Sequence, residues 1–279
     1  MKNKFIPYSC QEISEEDINS VTEVLKSDFI TQGPKVKLFE EHISKFCKAK
    51  YVFSVNSATS ALHLACLSLG IKKGDNVWTS PISFVASANC ALYCGANIDF
   101  VDIDKTSYNL SASKLEDKLN IAEKNGTLPK LIIAVHLSGQ SAQMEEIKNL
   151  SYKYNFKIIE DASHALGGSY KDAKIGSCKY SDLTVFSLHP VKMITTGEGG
   201  LVTTNNPLLA KKIRFLRSHG ITKDLSEMRK DSDGPWYYEQ QELGYNYRMP
   251  DLNAALGISQ LRKLREFVKK REDLSKYYD

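Results

Sequence analysis

A lysine follows a strand-like segment and stands among polar residues, an arrangement suited to imine chemistry. In FSLHPVKMITTGEGG, at 186–200, Lys192 comes shortly after Ser187 and His189. An amine bonds a carbonyl as an imine only after losing its proton, which burial and nearby charge promote. A phosphate-binding lysine of the P-loop type is the alternative, but no GxxxxGK[ST] spacing precedes Lys192. The segment therefore predicts a nucleophilic lysine.

An acidic residue ends a second strand-like segment. Asp161 closes FKIIED at 156–161, and His164 follows within EDASHALG. Burying a carboxylate is costly without a cationic partner, and a cofactor ring nitrogen that must stay protonated is such a partner. His164 could face the same ligand. The structural alternatives are a helix cap for Asp161 and a core position for His164.

A third segment, NSATSAL at 56–62, follows a strand and opens a helix with small and hydroxyl side chains. Free N–H groups at a helix start attract anions, although an ordinary capped helix would have the same residues. Together the three segments supply an anion cradle, an acid for a ring nitrogen and a nucleophilic lysine. Pyridoxal phosphate presents a phosphate, a pyridinium nitrogen and an aldehyde, so the combination predicts this cofactor.

The elements that position these segments alternate along the chain. Helices are predicted at 14–27, 34–48, 57–69, 83–94, 111–123, 142–154, 207–217 and 251–276; strands at 51–55, 76–80, 97–103, 128–136, 156–161, 181–187 and 200–204; and a polar loop at 222–240. This alternation predicts an α/β fold, a three-layer α/β/α sandwich with a mostly parallel sheet. Ligands of such sheets bind beyond the carboxyl ends of the strands, where the three segments lie.

Composition excludes several other classes of protein. The 279 residues are 42% hydrophobic and 25% charged, and Lys and Arg exceed Asp and Glu by 37 − 33 = 4. The basic residues are scattered, which argues against nucleic-acid binding. The six cysteines include no CxxC pair, so we expect reduced thiols in a cytoplasmic protein and no metal site. We expect no signal peptide and no membrane span.

Nearly the whole chain, from TQGPKVKLFEEHI at 31–43 to ELGYNYRMPDLNAALGISQL at 242–261, resembles the DegT/DnrJ/EryC/StrS sugar aminotransferase family. NSATSALHLA, EDASHALG and HPVKMITTGEGG carry the resemblance. It implies a fold type I large domain that binds pyridoxal phosphate at 1–250. Residues 251–279 would form a long helix leading into a C-terminal small domain, which we expect to be truncated here.

The resemblance also implies roles for individual residues. Lys192 would be the Schiff-base lysine and proton carrier, Asp161 the partner of the pyridinium nitrogen, and His164 the neighbour of the ring oxygen. Phe84 would stack on the cofactor ring, with a core position as the alternative. Ala58 and Thr59 would offer backbone N–H groups to the phosphate, and Ser187 would offer its hydroxyl. Asn246 would reach the phosphate from the neighbouring subunit. The active unit would then be a homodimer with shared sites.

Within the family, the chain resembles the subgroup that serves pseudaminic acid biosynthesis. This implies amino transfer, with L-glutamate as the expected donor, to the 4-keto carbon of a UDP-linked 4-keto-6-deoxy-N-acetylhexosamine. The alternatives are another 4-keto sugar nucleotide, of the bacillosamine or perosamine type, and a non-catalytic truncated paralogue. A dehydratase of the same fold would have His in place of Lys192. Arg217, His219 and Tyr247 could face the substrate or be structural.

Overall fold

The computed structural model describes residues 5, 7–229 and 234–278. The α-helices are α1 (Glu15–Leu25), α2 (Pro34–Cys47), α3 (Ala58–Ser68), α4 (Ala86–Tyr93), α5 (Ala112–Asn125), α6 (Met144–Tyr154), α7 (Pro207–Leu216) and α8 (Asp251–Tyr278). The strands are β1 (Tyr51–Val55), β2 (Asn76–Thr79), β3 (Asn97–Phe100), β4 (Leu131–Val135), β5 (Lys157–Asp161), β6 (Ser169–Tyr170), β7 (Ala173–Lys174), β8 (Leu183–Ser187), β9 (Gly200–Thr204), β10 (Ile221–Thr222) and β11 (Glu239–Gln240).

Seven strands form the central sheet in the order β1-β9-β8-β5-β4-β2-β3. β9 is antiparallel to both neighbours, β1 and β8, while the remaining pairs are parallel. Six strands therefore end at the same edge of the sheet. This edge is the place where a parallel α/β sheet offers a binding site.

Helices cover both faces of the sheet because successive strand residues are apolar on both sides. On β4, Ile133 packs on the face that contacts α3 and α7, whereas Ile132 packs towards α5 and α6. On β8, Val185 faces the first core, and Phe186 belongs to a third cluster with residues of α2 and α8. The predicted three-layer α/β/α architecture with a mostly parallel sheet is thus confirmed.

Three local features differ from the predictions. The helix predicted from 83 begins only at Ala86, so residue 84 lies in the preceding loop. The loop predicted at 222–240 contributes β11 to a two-stranded sheet with β10, and its residues 230–233 lie outside the described part. A short hairpin, β6 with β7, was not predicted. Two-residue strands are too short to give an alternating pattern, which explains why both pairs were missed.

The start of α8 holds the start of α2. The buried carboxylate of Asp251 accepts hydrogen bonds from the backbone N–H groups of Gly33 at 2.7 Å, Lys35 at 2.8 Å and Val36 at 3.4 Å. Gly33, the N-cap of α2, has no side chain with which to satisfy these groups. Asp251 therefore caps α2 from a distant part of the sequence and fixes α8 against it.

The path of α8 beyond this cap is set by α1 and α2, its main packing partners. Ala254, Ile258 and Leu264 are buried in the cluster that also contains Phe39 of α2.

The division into a large domain at 1–250 and a linking helix at 251–279 stays a prediction. Among the described residues, no helix has both the length and the apolar composition that crossing a bilayer requires.

Asp251→Ala should lower the free energy of unfolding by about 2–4 kcal/mol, because three backbone donors lose a charged acceptor. Urea denaturation measures the loss. Asp273→Ala is the matched control, since Asp273 lies on the same helix but is exposed and pairs with the likewise exposed Lys269. Equal midpoints for the two variants would contradict the capping role.

Candidate functional site

A cavity of about 720 Å³ lies at the edge where the parallel strands end. Loops that follow β1, β4, β5 and β8 line it, as expected from the sheet order. The predicted site residues that line it are Ala58, Thr59, Phe84, Asp161, His164, Ser187 and Lys192. Residues far apart in sequence are thus gathered in one cavity by the common direction of the strands.

Lys192 lies in the loop between β8 and β9. Its backbone N–H donates to the carbonyl of His189 at 2.9 Å, and Arg271 of α8 donates to its carbonyl at 3.1 Å. Burial lowers the pKa of the Lys192 ammonium below its ordinary value of 10.5, while the negative charge of Asp161 acts in the opposite direction. The amine is therefore easier to deprotonate than a surface lysine, as a nucleophile requires.

Asp161 is buried at the end of β5, between Val135 of β4 and Val185 of β8. Its Oδ2 accepts from the Ser87 hydroxyl at 2.6 Å. Its Oδ1 accepts from the Ser163 hydroxyl at 2.6 Å and from the Ser163 backbone N–H at 3.2 Å. These donors offset the desolvation of the carboxylate and fix its orientation.

His164 follows Asp161 by three residues and is partly buried beside Lys192. Its Nδ1 accepts a hydrogen bond of 3.2 Å from the backbone N–H of Ser138. Burial and the Lys192 charge lower the pKa of the imidazole below its ordinary value of 6.5, with Asp161 opposing them. The ring is therefore neutral at neutral pH, with its proton on Nε2.

Three strands meet beside the start of α3, where the sequence predicts an anion-binding site. Gly200, the first residue of β9, pairs with both Val55 of β1 and Ser187 of β8. A Cβ at Gly200 would lie only 2.5 Å from the Ser57 carbonyl group, so glycine lets β9 approach the start of α3. Ala58 and Thr59 begin α3, and their N–H groups have no acceptor within the helix.

Phe84 lies in the loop before α4, lines the cavity and is 72% exposed. A core position for this side chain is therefore wrong. The loop is held nearby, because the hydroxyl groups of Ser83 and Ser87 are hydrogen-bonded at 2.7 Å. Starting the helix after Phe84 leaves the aromatic ring at the cavity, where a flat ligand ring could stack on it.

Other residues named from the sequence lie outside this cavity. Asn246 is exposed in the segment that pairs with Ser218. Arg217 donates to Glu40 Oε1 at 2.5 Å and to the Ser54 carbonyl at 2.9 Å, so its contacts are structural.

The remaining two candidates for substrate contact also have structural surroundings. The Tyr247 hydroxyl lies 3.2 Å from His63 Nδ1, and its ring stacks on Tyr245. The backbone N–H of His219 donates to the Tyr245 carbonyl at 2.8 Å. Neither residue lines the cavity.

Sequence reasoning missed the residues that orient Asp161. Ser163 could have been found, because a hydroxyl or N–H two residues after Asp often bonds its carboxylate. Ser87 lies 74 residues away in sequence and carries no local signal. Glu198 and Tyr8, which also line the cavity, were missed for the same reason.

Solved structures similar to this chain include aminotransferases. Helicobacter pylori PseC, an aminotransferase involved in the biosynthesis of pseudoaminic acid, superposes with a TM-score of 0.88 at 35% identity over 99% of this chain and 70% of its own. The sugar aminotransferase Spr1654 of Streptococcus pneumoniae, in its PMP form, gives 0.87 at 32% identity over 99% and 72%. The fold and the site therefore define this chain as an aminotransferase.

Sequence comparison gives the particular family. The DegT/DnrJ/EryC1/StrS aminotransferase family profile matches residues 11–279, and the chain belongs to this family. A UDP-4-amino-4,6-dideoxy-N-acetyl-beta-L-altrosamine transaminase of Campylobacter jejuni (strain 81-176) is 47% identical over 98% of this chain and 69% of its own length. The resemblance inferred from the motifs is thus confirmed.

The acid–base behaviour of Lys192 can be tested by its rate of acetylation as a function of pH, read by mass spectrometry of its peptide. We expect a midpoint below 10.5, because burial disfavours the ammonium. Lys269 is an internal reference, since a hydrogen bond to Asp273 raises its pKa. Asp161→Asn should lower the Lys192 midpoint further by removing a favourable charge. Coincident midpoints for the two lysines would contradict this assignment.

Proposed function

We propose that this chain is a pyridoxal-phosphate-dependent aminotransferase that aminates a keto sugar nucleotide. The observation that carries the proposal is the placement of Lys192, Asp161 and the start of α3 around one cavity. Membership of an aminotransferase family supports the reaction class. The relative Spr1654, solved in both a PLP form and a PMP form, supports the choice of cofactor.

The residues present fit this cofactor. The first N–H groups of α3 and the Ser187 hydroxyl suit a phosphate, and the close approach permitted by Gly200 brings them together. The buried carboxylate of Asp161 suits a protonated ring nitrogen. Phe84 offers a face for stacking, and Lys192 offers an amine of lowered pKa. When bound, pyridoxal phosphate supplies an electron sink that makes a carbon–hydrogen bond acidic.

Each side chain then has a physical task. Lys192 would hold the cofactor through Nζ, and the same amine would hold or move a proton. Asp161 would keep the ring nitrogen protonated, since its negative charge favours a cation beside it. His164 would offer its Nε2–H to the ring oxygen. Holding these groups at fixed positions supplies much of the rate.

For the substrates, we infer L-glutamate as amino donor and a UDP-linked 4-keto-6-deoxy-N-acetylhexosamine as acceptor, in pseudaminic acid biosynthesis. The transaminase of Campylobacter jejuni, named for an amino-dideoxy sugar of UDP, supports this choice. Helicobacter pylori PseC, similar over 99% of the chain, is involved in the biosynthesis of pseudoaminic acid and supports the proposed pathway. A perosamine- or bacillosamine-type acceptor would be distinguished by assaying a panel of keto sugar nucleotides.

We further propose a homodimer in which Asn246 reaches the phosphate of the neighbouring subunit. Asn246 is exposed and outside its own cavity, which suits contact with a second copy. Residues 1–250 would form the cofactor-binding large domain, with α8 leading out of it. The cytoplasm is the proposed location, supported by the free state of all six cysteines.

Lys192→Ala should abolish amino transfer from L-glutamate and remove the visible absorbance band of lysine-bound cofactor. The reason is that no other described lysine lines the cavity. Product formation is followed by mass spectrometry, with Lys269→Ala as the control at an exposed lysine. Turnover by Lys192→Ala at the control rate, with the band retained, would exclude the proposal.

Mixing two inactive variants tests the shared site. Lys192→Ala supplies an intact Asn246, and Asn246→Ala supplies an intact Lys192. After subunit exchange, hybrid dimers should contain one complete site each and restore about a quarter of the wild-type activity. Activity equal to the sum of the two separate variants would show that Asn246 does not act across subunits.

A further inference from the structure

A turn with a left-handed residue contacts both the ring and the backbone of His164. Residues Leu137–Gly139 form a single 3₁₀ turn after β4. Ser138 has φ of +55°, a left-handed conformation that is unfavourable for a non-glycine residue. Gly139 has φ of +92°, and a Cβ there would lie 2.8 Å from the His164 carbonyl oxygen. The turn therefore packs closely against the backbone of His164, and only glycine fits at position 139.

The left-handed residue is the one that contacts the imidazole. The backbone N–H of Ser138 donates to Nδ1 of His164 at 3.2 Å. A strained conformation persists only where surrounding contacts hold it. Those contacts come from two directions.

Asn109 holds both ends of the turn. Its Oδ1 accepts from the Leu137 N–H at 2.9 Å, and its Nδ2 donates to the Gln140 carbonyl at 3.0 Å. The side chain is 2% exposed, and it comes from the loop before α5, which is far from the turn in sequence. One amide thus clamps the segment that carries Ser138.

A buried pair fixes the base of the turn. Nε2 of His136 lies 2.8 Å from Glu160 Oε2, and Nδ1 of His136 accepts from the Ala142 N–H at 3.2 Å. Glu160 also accepts from the hydroxyls of Ser181 at 2.5 Å and Thr184 at 3.1 Å. Burial raises the pKa of the Glu160 carboxyl, but the contact with His136, followed by the hydroxyls of Ser181 and Thr184, holds it below its ordinary value. Both ends of the turn are therefore anchored to the sheet.

We propose that Asn109 is a positioning residue that presets the tautomer of His164. By holding the Ser138 N–H against Nδ1, it leaves the proton of the neutral ring on Nε2. An Nε2–H donor is what the ring oxygen of the cofactor accepts, and this part of the inference rests on the proposed function. The site is thus prepared for the cofactor before the cofactor binds.

Cofactor-free, ¹⁵N-labelled protein tests this directly through two-bond ¹H–¹⁵N correlation spectra of its histidine rings. His164 is assigned by the signals lost in His164→Gln. In the wild type we expect a neutral ring near neutral pH, with Nε2 protonated and Nδ1 bare. In Asn109→Ala we expect the ratio of this tautomer to the other to fall about two- to tenfold, the effect of one hydrogen bond.

Asn205→Ala is the matched control. Asn205 also bridges two backbone groups with one amide, accepting from Lys50 at 2.9 Å and donating to Ser177 at 2.7 Å, but at the opposite edge of the sheet. It should leave the His164 tautomer unchanged. A proton on Nδ1 in the wild type, or equal ratios in Asn109→Ala and the wild type, would overturn the proposal.

Visible absorbance spectroscopy tests the effect of Asn109 on the bound cofactor separately. In reconstituted protein, Asn109→Ala should raise the pH midpoint of the visible absorbance change, because the ring oxygen loses part of its donor. An unchanged midpoint beside a changed tautomer would overturn this role. Failure of the wild type to bind the cofactor would instead overturn the proposed function and leave the tautomer result standing.

Discussion

The site depends on one electrostatic constraint: the amine of Lys192 and the carboxylate of Asp161 share a partly dehydrated cavity. Burial favours the neutral amine, whereas the carboxylate favours a cation. A ring nitrogen bound beside Asp161 would take up that negative charge and leave the amine free for covalent chemistry. The parallel sheet makes this possible, since it ends β5 and β8 side by side.

The surrounding structure fixes the carboxylate of Asp161 and the backbone of Lys192 without placing an opposite charge against either side chain. Two serine side chains orient Asp161 by hydrogen bonds and donate no formal charge, so the carboxylate keeps its negative charge for a cationic partner. Lys192 is held through its backbone, by His189 and Arg271. Among the residues that the structure describes, the Lys192 side chain makes no ion pair. The acid is therefore oriented by fixed hydrogen bonds, while the amine is left without a competing ionic partner.

Sequence alone was sufficient for the architecture and for most of the cavity. Helix and strand periods predicted the fold, and the positions of Lys192 and Asp161 at strand ends predicted that they would share one cavity. Phe84 was assigned to the site through resemblance, yet its place before α4 could not be read, because SFVAS continues a helical pattern. The contacts of Ser87 with Asp161, and of Asn109 with the turn at 137–140, join distant segments. Such contacts leave no periodic or local signal, so only the folded chain reveals them.

Borohydride reduction of the cofactor-loaded protein, followed by peptide mapping, tests the central claim most directly. The reagent fixes an imine as a stable amine, so the mass of the cofactor should remain on one peptide, the one that contains Lys192. The account predicts full labelling there and none at other lysines. A label on a different lysine, or protein that takes up no label after incubation with pyridoxal phosphate, would contradict it.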